Sequence, residues 1–156
     1  MVDAAAYAQL SHSKKLSEVD LSTVDAMFIA GGHGVCVDGP AMKVAIETVY
    51  NAGKVVAADC HGPYALVGCN KADGTPLVAG LKVTGFTNVE EEQAGATAWV
   101  EANSKFIETE FKALGGLFEH ADPWNSHVVE DGNLVTCQNP QSADAGAQKV
   151  IEILSR

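Results

Sequence analysis

Residues 54–63 read KVVAADCHGP, a short run of small and β-branched apolar residues that breaks at a cysteine, a histidine, a glycine and a proline. Runs of this length and composition form strands buried on both faces, as in a parallel sheet. Pro63 suits the first turn of a helix, and YALVG at residues 64–68 is expected to continue it. A cysteine held at such a strand-to-helix turn lies near backbone N–H groups and the positive end of the helix. That setting is expected to lower the thiol pKa and expose the thiolate, the reactive form. Cys60 is therefore the candidate nucleophile, placed as the serine is on the elbow of serine hydrolases. His61 beside it is a candidate proton carrier. A small buried cysteine next to an ordinary loop histidine fits the same residues.

On the N-terminal side, VDAMFIA at residues 24–30 is another compact apolar run, and it ends in Gly31-Gly32-His33-Gly34. A buried strand breaking into a glycine loop is the simplest reading. From Pro40 to Asn51, Met42, Val44, Ala45, Ile46, Val49 and Tyr50 form an apolar helical stripe, and Gly53 stands where a helix C-terminus favours glycine. The glycine loop can offer backbone N–H groups to a developing oxyanion, or be a plain turn. It has neither GxxxxGK[ST] nor GxGxxG, so nothing marks a nucleotide site. His33 and Cys36 make half of a metal-ligand set, and no second pair completes it.

On the C-terminal side, DGTP at residues 73–76 is turn chemistry, and KVTGF at residues 82–86 is a strand candidate. Glu90, Glu91 and Glu92 follow, either as a solvated first turn of a helix or as the source of a carboxylate that orients His61. Residues 104–114 read as a surface helix. HVVE (127–130) and LVTC (134–137) flank Asp131-Gly132-Asn133, a hairpin signal. A last helix follows Asn139-Pro140, with Ala147, Val150, Ile151 and Leu154 on its expected buried face. Strands alternating with helices imply an α/β layered, mostly parallel sheet, whose sites form at the carboxyl ends of strands. The glycine loop and Cys60 both lie at such ends.

The bulk composition narrows the function classes. The 156 residues are 47% hydrophobic and 19% charged, enough for a domain with a sizeable core. A net charge of −10, from 20 acidic and 10 basic residues, repels phosphate backbones and anionic membrane surfaces, so neither nucleic acid nor membrane is an expected partner. The N-terminus lacks the basic stretch and apolar run of a secretory signal, and Cys36, Cys60, Cys69 and Cys137 have no CxxC spacing. Reduced thiols in the cytoplasm follow as the expectation.

Four segments together resemble the Hsp31-like glyoxalase III family of the DJ-1/PfpI superfamily. Residues 24–34, VDAMFIAGGHG, resemble that family's DAxFxPGGHG, and VVAADCHGP at residues 55–63 resembles its PVAAVCHGP elbow. Residues 74–92 are similar to the stretch that follows it, and SHVVEDGNLVTCQNP at residues 126–140 resembles its ASHVVxDGNLITGQNP ending. The segments keep the family's order from about residue 16 onward. The resemblance implies a flavodoxin-like three-layer sandwich, with a mostly parallel sheet and a β-hairpin near the C-terminus. It implies Cys60 as nucleophile, His61 as its partner, and a triad carboxylate that aligns best with Glu91, with Glu90 and Glu92 as rivals. Gly31, Gly32 and His33 take the place of the oxyanion and substrate-binding loop. The implied activity is conversion of methylglyoxal, a 2-oxoaldehyde, and water to D-lactate without glutathione, cofactor or metal.

Two residues depart from the family pattern. Asp59 precedes the nucleophile where an apolar residue is usual, and Cys137 stands where glycine is usual. The resemblance also implies a longer N-terminal segment, with the first strands and a glutamate that hydrogen-bonds the nucleophile. Residues 1–156 are therefore expected to be one domain incomplete at its N-terminus, acting as a homodimer or with the missing segment. The same family suggests a chaperone-like or redox-sensing stress protein, and the superfamily suggests amidotransferase- or peptidase-like hydrolysis.

Overall fold

The computed structural model describes residues 4–37 and 39–156. Among the described residues, six α-helices and six strands carry the fold: α1 (Ala4–Ser11), β1 (Ala26–Ile29), α2 (Pro40–Asn51), β2 (Val55–Asp59), β3 (Lys82–Val83), α3 (Asn88–Gln93), α4 (Thr97–Asn103), α5 (Ile107–Ala113), β4 (Leu117–Phe118), β5 (Val128–Asp131), β6 (Leu134–Cys137) and α6 (Ala143–Leu154). The main sheet has the order β1-β2-β6-β5. The β1–β2 and β2–β6 pairs are parallel, and β5 runs antiparallel to β6. The turn between β5 and β6 holds Gly132 at φ +61°, the left-handed conformation that the Asp-Gly-Asn signal requires.

β2 is central and every residue of it is buried, which explains its unbroken apolar run. Its side chains alternate between two cores. Val56 and Ala58 pack with Ile46 and Val49 of α2 and with Leu134. Val55 and Ala57 pack with Val135, Cys137 and Val150, the last from α6. Helices thus cover both faces of a mostly parallel sheet, the expected three-layer α/β arrangement. No helix among the described residues is long and apolar enough to cross a membrane.

Four expectations change at the element scale. The strand at residues 82–86 shrinks to β3, which joins β4 in a separate two-stranded parallel sheet. Residues 104–114 narrow to α5, whose Ile107 and Phe111 are buried, so it is not a mere surface helix. On α6, Ile151 and Leu154 are 57% and 52% exposed. Its inner face turns instead on Gly146 and Val150, because a side chain at Gly146 would collide with the Cys137 sulfur. The helix expected after Cys60 is only a 3-10 stretch, Gly62–Leu66, which ends where Val67 turns extended and Gly68 takes φ +84°.

Candidate functional site

Cys60 stands just past the carboxyl end of β2, with φ +59°. The left-handed region disfavours a residue with a Cβ by roughly 1–2 kcal/mol, so neighbouring contacts must hold it there. The Cys60 N–H donates to the Cys137 carbonyl at 3.0 Å, and its own carbonyl accepts from the Phe86 N–H at 3.0 Å. Gly31 crosses so closely that a Cβ there would lie 2.7 Å from Cys60 Cβ. A glycine is thus needed at position 31 for clearance. The N–H groups of Gly32 and His61 bond the sulfur.

Sulfur, imidazole and carboxylate are in line. Cys60 Sγ lies 3.3 Å from His61 Nδ1, and His61 Nε2 lies 2.6 Å from Glu91 Oε1. A carboxylate only accepts, so Nε2 carries the proton and donates it to Glu91, leaving the Nδ1 lone pair facing the sulfur. Glu91 is buried because Thr87 caps α3: its hydroxyl accepts from the Glu90 N–H, while the Glu90 side chain returns to the Thr87 N–H. This cap turns the helix so that Glu91 points at His61.

Of the three consecutive glutamates, Glu91 touches His61. Glu92 is exposed. Glu90 is buried in a different role: it accepts from Trp124 N–H (2.8 Å), Asn139 Nδ2 (2.8 Å), Gln138 Nε2 (3.1 Å) and both the N–H and hydroxyl of Thr87. A solvated acidic run fits Glu92 and fails for its two predecessors. His33 packs its ring on His61 at 3.8 Å between centroids and brings Nε2 to 3.4 Å from Glu91 Oε2. Trp99 stands edge-on to His33, Phe86 packs on His61, and Trp124 stands edge-on to Phe86. The Cys36 side chain, and with it a His33–Cys36 pairing, lies outside the described residues.

The expected lowered thiol pKa is not what the surroundings produce. Cys60 is 8% exposed, and burial pushes its thiol up to about 12, helped by the negative charges of Asp59 and Glu90. The His61 and Gly32 N–H groups oppose this and lose. The short 3-10 stretch after Cys60 also has too few aligned peptides to build the dipole that a full helix would supply. Burial likewise pushes Cys69 up to about 11 and Cys137 up to about 12. Geometry, not acidity, sets Cys60 apart. A neutral thiol beside a neutral imidazole can attack an electrophile as Nδ1 takes its proton, so no standing thiolate is needed.

Asp59 is the discordant neighbour. Strand alternation assigns its side chain to the face of Val55 and Ala57, away from the Cys60 side, yet it is buried and Oδ1 has no partner. Burial pushes its carboxyl up to about 6, with the Cys60 N–H opposing in part.

Sequence reasoning named Cys60, His61, Glu91, Gly31, Gly32 and His33, and the structure gathers all six within one neighbourhood. It missed Trp99 and the Gln138–Asn139 side of the Glu90 network. Trp124 has φ +64°, and its indole Nε1 donates to Gln93 at 2.6 Å. No local sequence signal marks a tryptophan for that conformation.

The chain is 38% identical over 149 residues to glyoxalase 3 of Candida albicans, covering 91% of this chain and 63% of that protein. It is 36% identical over 152 residues to the glutathione-independent glyoxalase HSP31 of Saccharomyces cerevisiae, covering 93% and 64%. The chain thus spans a little under two thirds of the length of these relatives. Among solved structures, glyoxalase III from Candida albicans superposes with a TM-score of 0.85 at 36% identity, over 92% of this chain and 62% of that one. The rapid encystment protein of Francisella tularensis superposes with a TM-score of 0.86 at 29% identity, over 96% and 67%. Residues 2–153 match the DJ-1/PfpI family, and the chain belongs to it.

Proposed function

We propose that this chain is a glutathione-independent glyoxalase that converts methylglyoxal and water to D-lactate. The observation that carries this reading is the buried relay Cys60 Sγ–His61 Nδ1 and His61 Nε2–Glu91 Oε1, at 3.3 and 2.6 Å. The relatives named as glyoxalases supply the substrate class. Cys60 Sγ attacks the aldehyde carbon as His61 Nδ1 takes the thiol proton and returns it to the aldehyde oxygen, giving a hemithioacetal. His61 then removes the hydrogen on that carbon as a proton, leaving an enediolate; the hemithioacetal hydroxyl proton passes to the neighbouring oxygen as His61 protonates the neighbouring carbon, giving a thioester of the 2-hydroxy acid. One carbon is oxidised and its neighbour reduced, so no external oxidant enters. Water hydrolyses the thioester and frees the thiol. Glu91 holds the imidazole tautomer and steadies the imidazolium. The Gly32 N–H, which bonds the sulfur, is positioned to support the developing negative charge.

Methylglyoxal loss and D-lactate formation, measured without glutathione, test this directly. Cys60→Ala is expected to abolish both, and Glu91→Gln to lower kcat by roughly 100-fold or more. Turnover unchanged in Cys60→Ala refutes the assignment. A redox-sensor role draws less support, because oxidation favours exposed thiolates and Cys60 is neither exposed nor acidic. The proposal includes a reducing cytoplasmic setting, in keeping with the unpaired Cys60, Cys69 and Cys137.

The proposal also includes a partner along β1. Among the described residues β1 pairs with β2 alone, which leaves its other edge open beside Phe28, itself 42% exposed. An open edge with an apolar neighbour is a pairing surface for a second copy or for further chain. Light scattering after gel filtration is expected to give a dimer. A 16.3 kDa monomer across the micromolar range rules out the homodimer.

A further inference from the structure

We propose that His33, His61 and Glu91 form a binding site for a divalent transition-metal ion of the zinc class, and that the ion inhibits this centre. One ligand atom from each of the three lies within 4.8 Å of the other two. Two imidazoles and one carboxylate, with room for an exogenous ligand, suit zinc chemistry. Tetrahedral bonds of about 2.0–2.2 Å set ligand atoms roughly 3.3–3.5 Å apart. The His33 Nε2 to Glu91 Oε2 separation, 3.4 Å, already has that value. His61 Nε2 meets the other carboxylate oxygen, Oε1, at 2.6 Å, so a turn of the Glu91 carboxylate is needed to bring one oxygen to this spacing from both imidazoles. Entry runs past His33, whose side chain is 34% exposed, while His61 and Glu91 are almost fully covered. As a hydrogen bond the His33–Glu91 contact is long, and it gives a poor structural reason for a half-exposed histidine stacked on His61.

The inhibitory consequence rests on the relay reading above; the binding does not. A metal on His61 Nε2 leaves the ring's one remaining proton on Nδ1, the nitrogen that faces Cys60. That nitrogen then has no lone pair to take the thiol proton. The same ion occupies Glu91, which otherwise fixes the tautomer. Cys60 is not a ligand in this arrangement, because its sulfur lies on the other side of the ring.

The test uses tag-free, metal-free protein titrated with Zn²⁺ by calorimetry and with Co²⁺ by visible absorption. One ion per chain is expected, with a tetrahedral-type Co²⁺ spectrum that lacks a thiolate-to-metal band and persists in Cys60→Ala. His33→Ala is expected to weaken Zn²⁺ binding by roughly tenfold or more, and His33→Gln, a gentler change, to do the same if the alanine variant misfolds by circular dichroism. No stoichiometric binding, binding indifferent to both His33 variants, or a thiolate band lost in Cys60→Ala overturns the site. With the wild type, Zn²⁺ at saturation is expected to suppress methylglyoxal turnover at least tenfold, and full turnover with the ion bound overturns the inhibition. Binding is read without turnover, so a chain inactive on methylglyoxal leaves the site testable.

Discussion

Asp59 abuts the nucleophile in sequence and shares its burial, and its carboxylate has an unpartnered oxygen. Its folded pKa of about 6 lies above the ordinary 3.8, so folding favours the protonated form. Below 3.8 the group is neutral in both states and costs nothing. Stability is lost as pH rises from there through 6, and the full penalty, on the order of 3 kcal/mol, applies above it. Asp59→Asn is therefore expected to raise the melting temperature at pH 7.5 and to raise it less at pH 5. An equal rise at both pH values contradicts a buried charge. The same substitution removes the negative charge that pushes the Cys60 thiol up, so alkylation of Cys60 by iodoacetamide at pH 7.5 should quicken. In the wild-type protein that alkylation is expected to be slow at neutral pH and to accelerate toward alkaline pH. Fast, pH-independent labelling would show a standing thiolate.

At the scale of the element, α3 does the most with the least. Six residues expose one glutamate, aim a second at His61 and use a third to tie the 87–93 segment to Trp124, Gln138 and Asn139. Burial pushes the Glu90 carboxyl up, but those donors outweigh it and hold it below its ordinary 4.5. Its contribution is thus present above pH 4.5 and fades as pH falls through the lower folded value. Glu90→Gln sets an amide N–H₂ against existing donors. A loss of about 3 kcal/mol in urea unfolding at pH 7 is expected, shrinking in acid. The ends of α2 were legible because Pro40 and Gly53 punctuate it, and the β5–β6 hairpin because Asp-Gly-Asn prescribes its turn. The inward turn of Glu90 was not, and that of Glu91 came from the resemblance alone, since a first-turn acidic run looks solvated until the Thr87 cap and the partners at Trp124, Gln138 and Asn139 are known. Cys60 and His61 are adjacent and were readable; their joining to residue 91 depends on long-range packing that no local period records. Nor does periodicity mark β4, or show that the strand at 82–86 shrinks to β3 and pairs with it across more than thirty positions. The short stretch after Cys60 reads as a helix because Pro63 suits a first turn, and it ends early where Val67 turns extended.

For the whole molecule, a net charge of −10 surrounds a site proposed to take an uncharged substrate. Long-range steering acts on charged ligands alone and weakens with salt. Accordingly kcat/KM for methylglyoxal should change less than about twofold between 20 and 300 mM salt, a range across which screening lengths shrink several-fold. A steep dependence points to a charged substrate. The nucleophile's backbone is also tied to three separate stretches of chain: the Cys137 carbonyl, the Phe86 N–H and the close crossing at Gly31. Residue 137 enters the sheet last of these. During synthesis, therefore, the thiol has no working geometry until residue 137 has emerged and the hairpin has docked. Reactivity at this cysteine therefore arrives only once these three stretches have closed around it.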